Sequence, residues 1–275
     1  MVQAQQSSPE GKGRVLVTGI SRGIGKAIAQ ALSQDGWKVI GTSRDPRSLP
    51  DAQRLPGVEY LPLDLCQERS ITALARRVGT VDVLVSNGGA SMISPAEETP
   101  LDKVRDLFEA DFFGPVLLTQ ALLPDMRRRE GGRLIFIGSM RAEGPSPFSA
   151  FYSAAKAALR SFAECLRMEV RRYGLRVSVI APWHIRTTLA LEKLHADSSP
   201  YAAAVDRVRK KRDEGIAEAS DPVVVARLVQ RILASRRPKA FYTVGRMGRL
   251  QAFLVKHLPR SLVEAMSRRR FEPKG

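Results

Sequence analysis

Cysteine is scarce in this chain. Cys66 and Cys165 are the only two in 275 residues. That is too few for a disulfide framework or a metal-ligand spacing, so buried reduced thiols in a reducing compartment are expected. Histidine is nearly as scarce, and three scattered residues argue against a zinc site. Long apolar runs are missing as well. No stretch of about 18 apolar residues occurs, which excludes a spanning helix. The polar opening MVQAQQSSPEGKGR lacks the apolar centre of a secretion signal, so residues 1–12 are read as a flexible extension and the protein as cytoplasmic. Acidic residues are in deficit: 28 Asp and Glu face 44 Lys and Arg, for a formal charge of +16. Such a balance suits nucleic acid, a membrane surface or an anionic cofactor. Nucleic acid is disfavoured, because no recognition motif occurs and the basic residues lack interleaved stacking aromatics.

Apolar residues make up 44% of the chain, enough for one large core, and no composition break suggests two domains. RVLVTG (14–19) reads as a strand and SRGIGKAIAQALSQDG as the helix after it. Gly19, Gly23 and Gly25 fall between them with Gly-x-x-x-Gly-x-Gly spacing, the context of a dinucleotide-binding turn. There the backbone can approach a pyrophosphate, and the helix N-terminus attracts its charge. KVIGTSRD is a second strand, ending at Ser43 and Arg44. Arg44 and Arg22, two guanidinium groups with no acid between strand end and turn, favour a 2′-phosphate and hence NADP(H) over NAD(H), although Asp45 follows directly.

VEYLPLDL, VDVLVSNGGA, GGRLIFIGS and RVSVIAP give four more strands, and KAFYTVG a seventh. Alternation with helices at spacings too wide for hairpins implies an α/β fold, a doubly wound Rossmann-type parallel sheet of about seven strands in a single domain. Ligands in such sheets bind beyond the carboxyl ends of the strands. Gly19, Ser43, Asp64, Asn87, Ser139 and Pro182 all lie there and are expected to line one crevice. The long stretch LDKVRDLFEADFFGPVLLTQALLPDMRRR reads as helical with a bend at Gly114-Pro115.

Tyr152 and Lys156, four residues apart in a helix-forming segment, share one face. A phenol is a poor base at neutral pH, but a neighbouring ammonium favours its phenolate, and such a tyrosine can shuttle a proton. Ser139, at the end of RLIFIGS, can donate a hydrogen bond to a substrate oxygen.

Taken together, these features resemble the short-chain dehydrogenase/reductase (SDR) family over roughly residues 13–245. The matching motifs are Thr18-Gly19-Ile20-Ser21-Arg22-Gly23-Ile24-Gly25, Asp64, Asn87-Gly88-Gly89, Ser139, Tyr152 with Lys156, and Pro182 to Thr187. The resemblance implies an NADP(H)-dependent oxidoreductase, a carbonyl reductase interconverting a ketone or aldehyde with an alcohol, assembled as a homodimer or homotetramer. Tyr152 would be general acid and base, Lys156 would hold the nicotinamide ribose and favour the phenolate, and Ser139 would orient the carbonyl. The dinucleotide would be held by Gly19, Ser21, Arg22, Gly23, Ile24 and Gly25, with Ser43 and Arg44, and by Asp64 and Leu65 near the adenine. Asn87 and Gly88 would support it, and Pro182, Ile185 and Thr187 would bind its carboxamide end.

Three departures from the family pattern stand out. Asp111 occupies a position where the family usually has asparagine; it would keep the backbone geometry of the proton relay but add a negative charge near Lys156, predicting reduced or alkaline-shifted activity. Ser86 replaces the first of two asparagines, a tolerable change. Trp183 replaces a glycine after the sixth-strand proline, and either reshapes the pocket or is simply packed. Asp111 and Trp183 also keep open an alternative, a non-catalytic NADP-binding protein of the same fold that regulates a partner. A membrane-surface module carrying a vestigial fold is a weaker third reading.

Residues 188–220, polar and basic with little to pin them, are expected to form a substrate lid. The basic tail, 246–275, repeats Met247, Leu250, Phe253, Leu254 and Leu258 at helical spacing. This stripe is expected first to pack on the domain over an apolar pocket for a lipophilic substrate. Contact with anionic lipid or with another subunit is the other option.

Overall fold

The computed structural model describes residues 12–144, 146–187, 191–192, 194–217 and 219–271. Among them seven strands form one parallel sheet: β1 (Arg14–Val17), β2 (Lys38–Ser43), β3 (Glu59–Pro62), β4 (Val83–Ser86), β5 (Gly132–Ile137), β6 (Leu175–Pro182) and β7 (Phe241–Val244). Their order is β3-β2-β1-β4-β5-β6-β7. The chain moves outward from β1 to β3, then returns to the far side of β1, so the crevice of a doubly wound sheet opens where β1 and β4 diverge.

Among the described residues there are nine α-helices: α1 (Gly23–Gln34), α2 (Glu68–Val78), α3 (Leu101–Phe108), α4 (Gly114–Arg128), α5 (Ala150–Val170), α6 (Ala202–Ala217), α7 (Val223–Ala234), α8 (Arg246–His257) and α9 (Arg260–Phe271). Strand residues alternate between two cores. Leu16, Leu84 and Leu134 join Ile71 of α2, Leu118 and Leu122 of α4, and Leu159 and Leu166 of α5. Val15, Val17 and Val85 join Ile28 and Leu32 of α1 with Val225 and Val229 of α7 on the opposite face. Burial on both faces is why the central strands read as unbroken apolar runs.

Four details differ from expectation. The irregularity expected at Gly114-Pro115 lies just before it, as a π-helical turn at Glu109–Phe113 in which the Gly114 N–H bonds to the Glu109 carbonyl. Pro115 has no N–H to give the preceding turn, which favours this register. Cys66 and Cys165 are free but exposed rather than buried.

In the lid, residues 188–190, 193 and 218 lie outside the described residues, but the remainder is pinned. Val205 and Val208 are buried against Ile93, Ser199 donates to Glu98 at 2.7 Å, and Lys103 pairs with Glu192 at 3.1 Å. In the tail, α8 packs through Gly248, Gln251 and Val255 instead of the Leu250 and Phe253 stripe. A Cβ on Gly144 would lie 2.5 Å from Gln251 Nε2, and one on Gly248 would lie 3.3 Å from Trp183 Cβ, so small residues permit the close approach. Residues 1–11, the bulk of the expected extension, and 272–275 of the tail are outside the described residues.

Candidate active site

The glycine turn and the β4 turn are stitched together at the crevice. Thr18 Oγ1 accepts the N–H groups of Asn87 and Gly88 at 2.9 and 2.8 Å. Asn87 Nδ2 returns bonds to the carbonyls of Thr18 and Gly19, at 2.9 and 3.2 Å. Gly19 has φ +72°, a conformation that glycine adopts without strain. A Cβ on Gly25 would stand 2.2 Å from the Gly19 carbonyl oxygen, so the helix can begin this close to the strand only with glycine there. Leu65 joins them, since a Cβ on Gly88 would lie 3.0 Å from its Cδ1. On the other side the loop after β6 closes in, with Thr187 3.5 Å from a Cβ built on Gly23.

The helix α5 brings its pair to the same place. Lys156 is buried, and its Nζ lies 5.8 Å from the centroid of the Tyr152 ring. It is also 3.3 Å from Oδ2 of Asp111, which is fully buried. The other oxygen, Asp111 Oδ1, accepts the Ala90 N–H at 2.7 Å. A Cβ on Gly89 would come within 2.4 Å of Asp111 and 3.2 Å of Lys156, so Gly89 makes room for this pair. Burial raises the Asp111 carboxyl above the usual carboxylate range, opposed by the Lys156 ammonium and the Ala90 N–H. Burial also disfavours the Lys156 ammonium, but Asp111 and Tyr152 outweigh it and hold Lys156 above the ordinary lysine value. Ser139 precedes a short 3₁₀ turn, Met140–Ala142, that packs against α5. Its Oγ accepts the Arg141 N–H at 3.2 Å, leaving the hydroxyl proton to point elsewhere.

The residues present fit a dinucleotide. No side chain caps the N-terminus of α1 and its first turn holds no acid, as an incoming pyrophosphate requires. At the end of β2, Ser43 Oγ is buried without a hydrogen-bond partner, and Arg44 and Arg22 are exposed beside it and in the turn. Asp45, the residue that weighed against a phosphate, turns its Oδ1 to the Arg47 N–H at 3.0 Å. Ser21 is half-buried in the turn, while Ile24 packs into the core below it. Pro182 closes β6, and Ile185 is buried in a bridge to Ser220. Asp64 Oδ1 accepts the Cys66 N–H at 2.9 Å, which shapes the turn after β3. Partial burial, with Asp64, Asp106 and Glu109 nearby, pushes the Cys66 thiol up to about 11, which disfavours the reactive thiolate.

Three roles are not evident from the sequence. Thr18 is the acceptor that joins two strand ends. The Ala90 N–H fixes Asp111. Glu143, just after the Ser139 turn, is ion-paired to Arg160, which lies one helical turn beyond Lys156. Only the residue types at fixed distances from Gly19, Asn87 and Lys156 hint at these roles, and they become visible once the loops are placed.

A family model described as short chain dehydrogenase matches residues 13–198. Dehydrogenase/reductase SDR family member 7B of Bos taurus is 32% identical over 238 residues, covering 81% of this chain and 71% of that protein. Dehydrogenase/reductase SDR family protein 7-like of Drosophila melanogaster is 32% identical over 274 residues, covering 94% and 81%. A solved short-chain dehydrogenase from Streptomyces avermitilis has a TM-score of 0.79 at 32% identity, over 94% of this chain and 96% of that one. A serine dehydrogenase solved in complex with NADP+ has a TM-score of 0.70 at 26% identity, over 84% and 94%. The chain belongs to the short-chain dehydrogenase/reductase family. It is an NAD(P)-dependent oxidoreductase acting on a small molecule.

Proposed function

We propose that the protein is an NADP(H)-dependent carbonyl reductase, interconverting a ketone or aldehyde with an alcohol through Ser139, Tyr152 and Lys156. The observation that carries this reading is the placement of Lys156 Nζ 5.8 Å from the Tyr152 ring centroid and against the β4 turn, which is itself bonded to the glycine turn. When bound, the nicotinamide supplies or accepts the hydride. In reduction, the Tyr152 hydroxyl gives its proton to the substrate oxygen, and in oxidation the phenolate takes it back. The Lys156 ammonium favours that phenolate and is itself held by Asp111. Ser139 donates its hydroxyl proton to the same substrate oxygen and so fixes the direction of the carbonyl.

The preference for NADP(H) is supported by exposed Arg22 and Arg44, by the unpartnered Ser43 hydroxyl, and by the engagement of Asp45 in its own turn. A lipophilic substrate suits an apolar wall where Trp183 packs on α8 and α9 meets α6 of the lid. A homodimer or homotetramer has a suitable surface in α5, where the exposed residues Ala154, Ala157, Ser161, Cys165 and Met168 carry no charge and Glu169, near the helix end, is the one exposed acid.

Purified protein mixed with NADPH or NADH and a panel of ketones and aldehydes provides the test. Loss of reduced-cofactor absorbance is expected, at least about tenfold faster with NADPH, as one phosphate–guanidinium contact allows. Tight NADPH binding with no turnover of any carbonyl would contradict the reading.

A further inference from the structure

We propose that the outward face of α8 and α9 docks the protein on an anionic lipid surface, bringing the rim of the substrate mouth to the membrane. Single exposed apolar side chains are ordinary but clusters of them mark contact surfaces, and among the described residues eight large apolar side chains are exposed. Four of these belong to the two tail helices: Leu250 and Phe253 one turn apart on α8, and Leu262 and Met266 one turn apart on α9. The helices are consecutive and in contact. The inward face of α8 is spent on Gly144 and Trp183, so Leu250 and Phe253 lie outside that packing.

Charge decides the occupant. Residues 246–275 carry eight Lys and Arg against two Glu, and Arg249 and Lys256 are exposed on the same side of α8 as Phe253. Apolar residues interleaved with cations on a helix surface suit the boundary between lipid headgroups and acyl chains. A second copy would bring like charges together, which disfavours self-association through this face.

The position of the tail gives docking a consequence. α8 lies against Gly144, in the segment after Ser139, and against Trp183, in the segment after β6, while α9 touches α6 of the lid. A lipophilic carbonyl partitioned in the bilayer would then enter without crossing water. That delivery rests on the proposed oxidoreductase site, whereas docking does not.

The test is vesicle flotation of the full chain, with phosphatidylcholine alone and with phosphatidylserine added. Recovery with the anionic vesicles is expected, falling about tenfold or more in neutral vesicles or in high salt. Phe253→Ser combined with Leu262→Ser is expected to lower recovery at least about tenfold, leaving NADPH binding and turnover of a water-soluble carbonyl unchanged. Equal recovery of both proteins, or none of either, would overturn the proposal. So would a shift of the variant to a smaller species in gel filtration, which would make a second copy the occupant. Docking is read from flotation and the site from cofactor oxidation, so either can fail without the other.

Discussion

Asp111 shows how one substitution redirects the chemistry of a neighbour. Its carboxylate keeps the Ala90 N–H bond at 2.7 Å while setting a negative charge 3.3 Å from Lys156. In the folded protein Lys156 therefore lies above its ordinary value, despite burial. Its contribution to stability is full below the unfolded lysine value and is lost as pH rises through the raised folded one. The same carboxylate cancels part of the positive field at Tyr152. Asp111→Asn preserves the acceptor for Ala90 and removes that charge, so the ammonium acts on the phenol undiminished. The rising, acid-side limb of the pH–rate profile for alcohol oxidation is expected to move to lower pH. An unchanged profile would show that the Asp111 charge is not felt at the phenol. The departure from asparagine is legible in the sequence; the Ala90 bond and the Gly89 clearance are not, because both depend on where the β4 turn meets the π-helical turn.

At the scale of elements, α5 does more than carry Tyr152 and Lys156. Arg160 is ion-paired to Glu143, whose side chain is 14% exposed, and also meets Glu164 at 2.9 Å. The first of these contacts ties the segment after Ser139 to the helix bearing the tyrosine. Arg160→Met would leave the Glu143 carboxylate largely buried without its cation, at a cost of about 1–3 kcal/mol. A lower urea midpoint is expected, together with reduced kcat and unchanged NADPH binding, and Glu143→Gln in the same chain should restore part of the midpoint. An unaltered midpoint in Arg160→Met would mean that the ion pair holds nothing. Strands and helices are legible in the sequence because period-2 and 3.6-residue patterns are local. The face that α8 uses is less so. Its apolar stripe leads one to expect packing through Leu250 and Phe253, but close approach to Trp183 and Gly144 selects the side bearing Gly248, and Leu250 and Phe253 face outward.

Across the whole molecule, the loops after the strands and the helix α5 converge: Gly19, Leu65, Asn87, Lys156 and Thr187 come from five separate segments to one crevice. The sequence leads to that expectation, since parallel crossovers put the carboxyl ends of all strands on one edge of the sheet, while the strand order itself comes from the structure. It does not show how the lid and tail close over the site, because those contacts join segments with weak periodicity, as in Ser199 with Glu98 and Gly144 with Gln251. Among the described residues no helix is long and apolar enough to cross a membrane, and the surface that remains apolar is confined to a few helices.

The account rests on the phenol of Tyr152 as the group that exchanges a proton with substrate, and Tyr152→Phe tests this most directly. With NADPH affinity measured by fluorescence and turnover measured on the same preparation, binding is expected to stay within about threefold while kcat falls by about 10²–10⁴. Near-normal turnover in that variant would contradict the account.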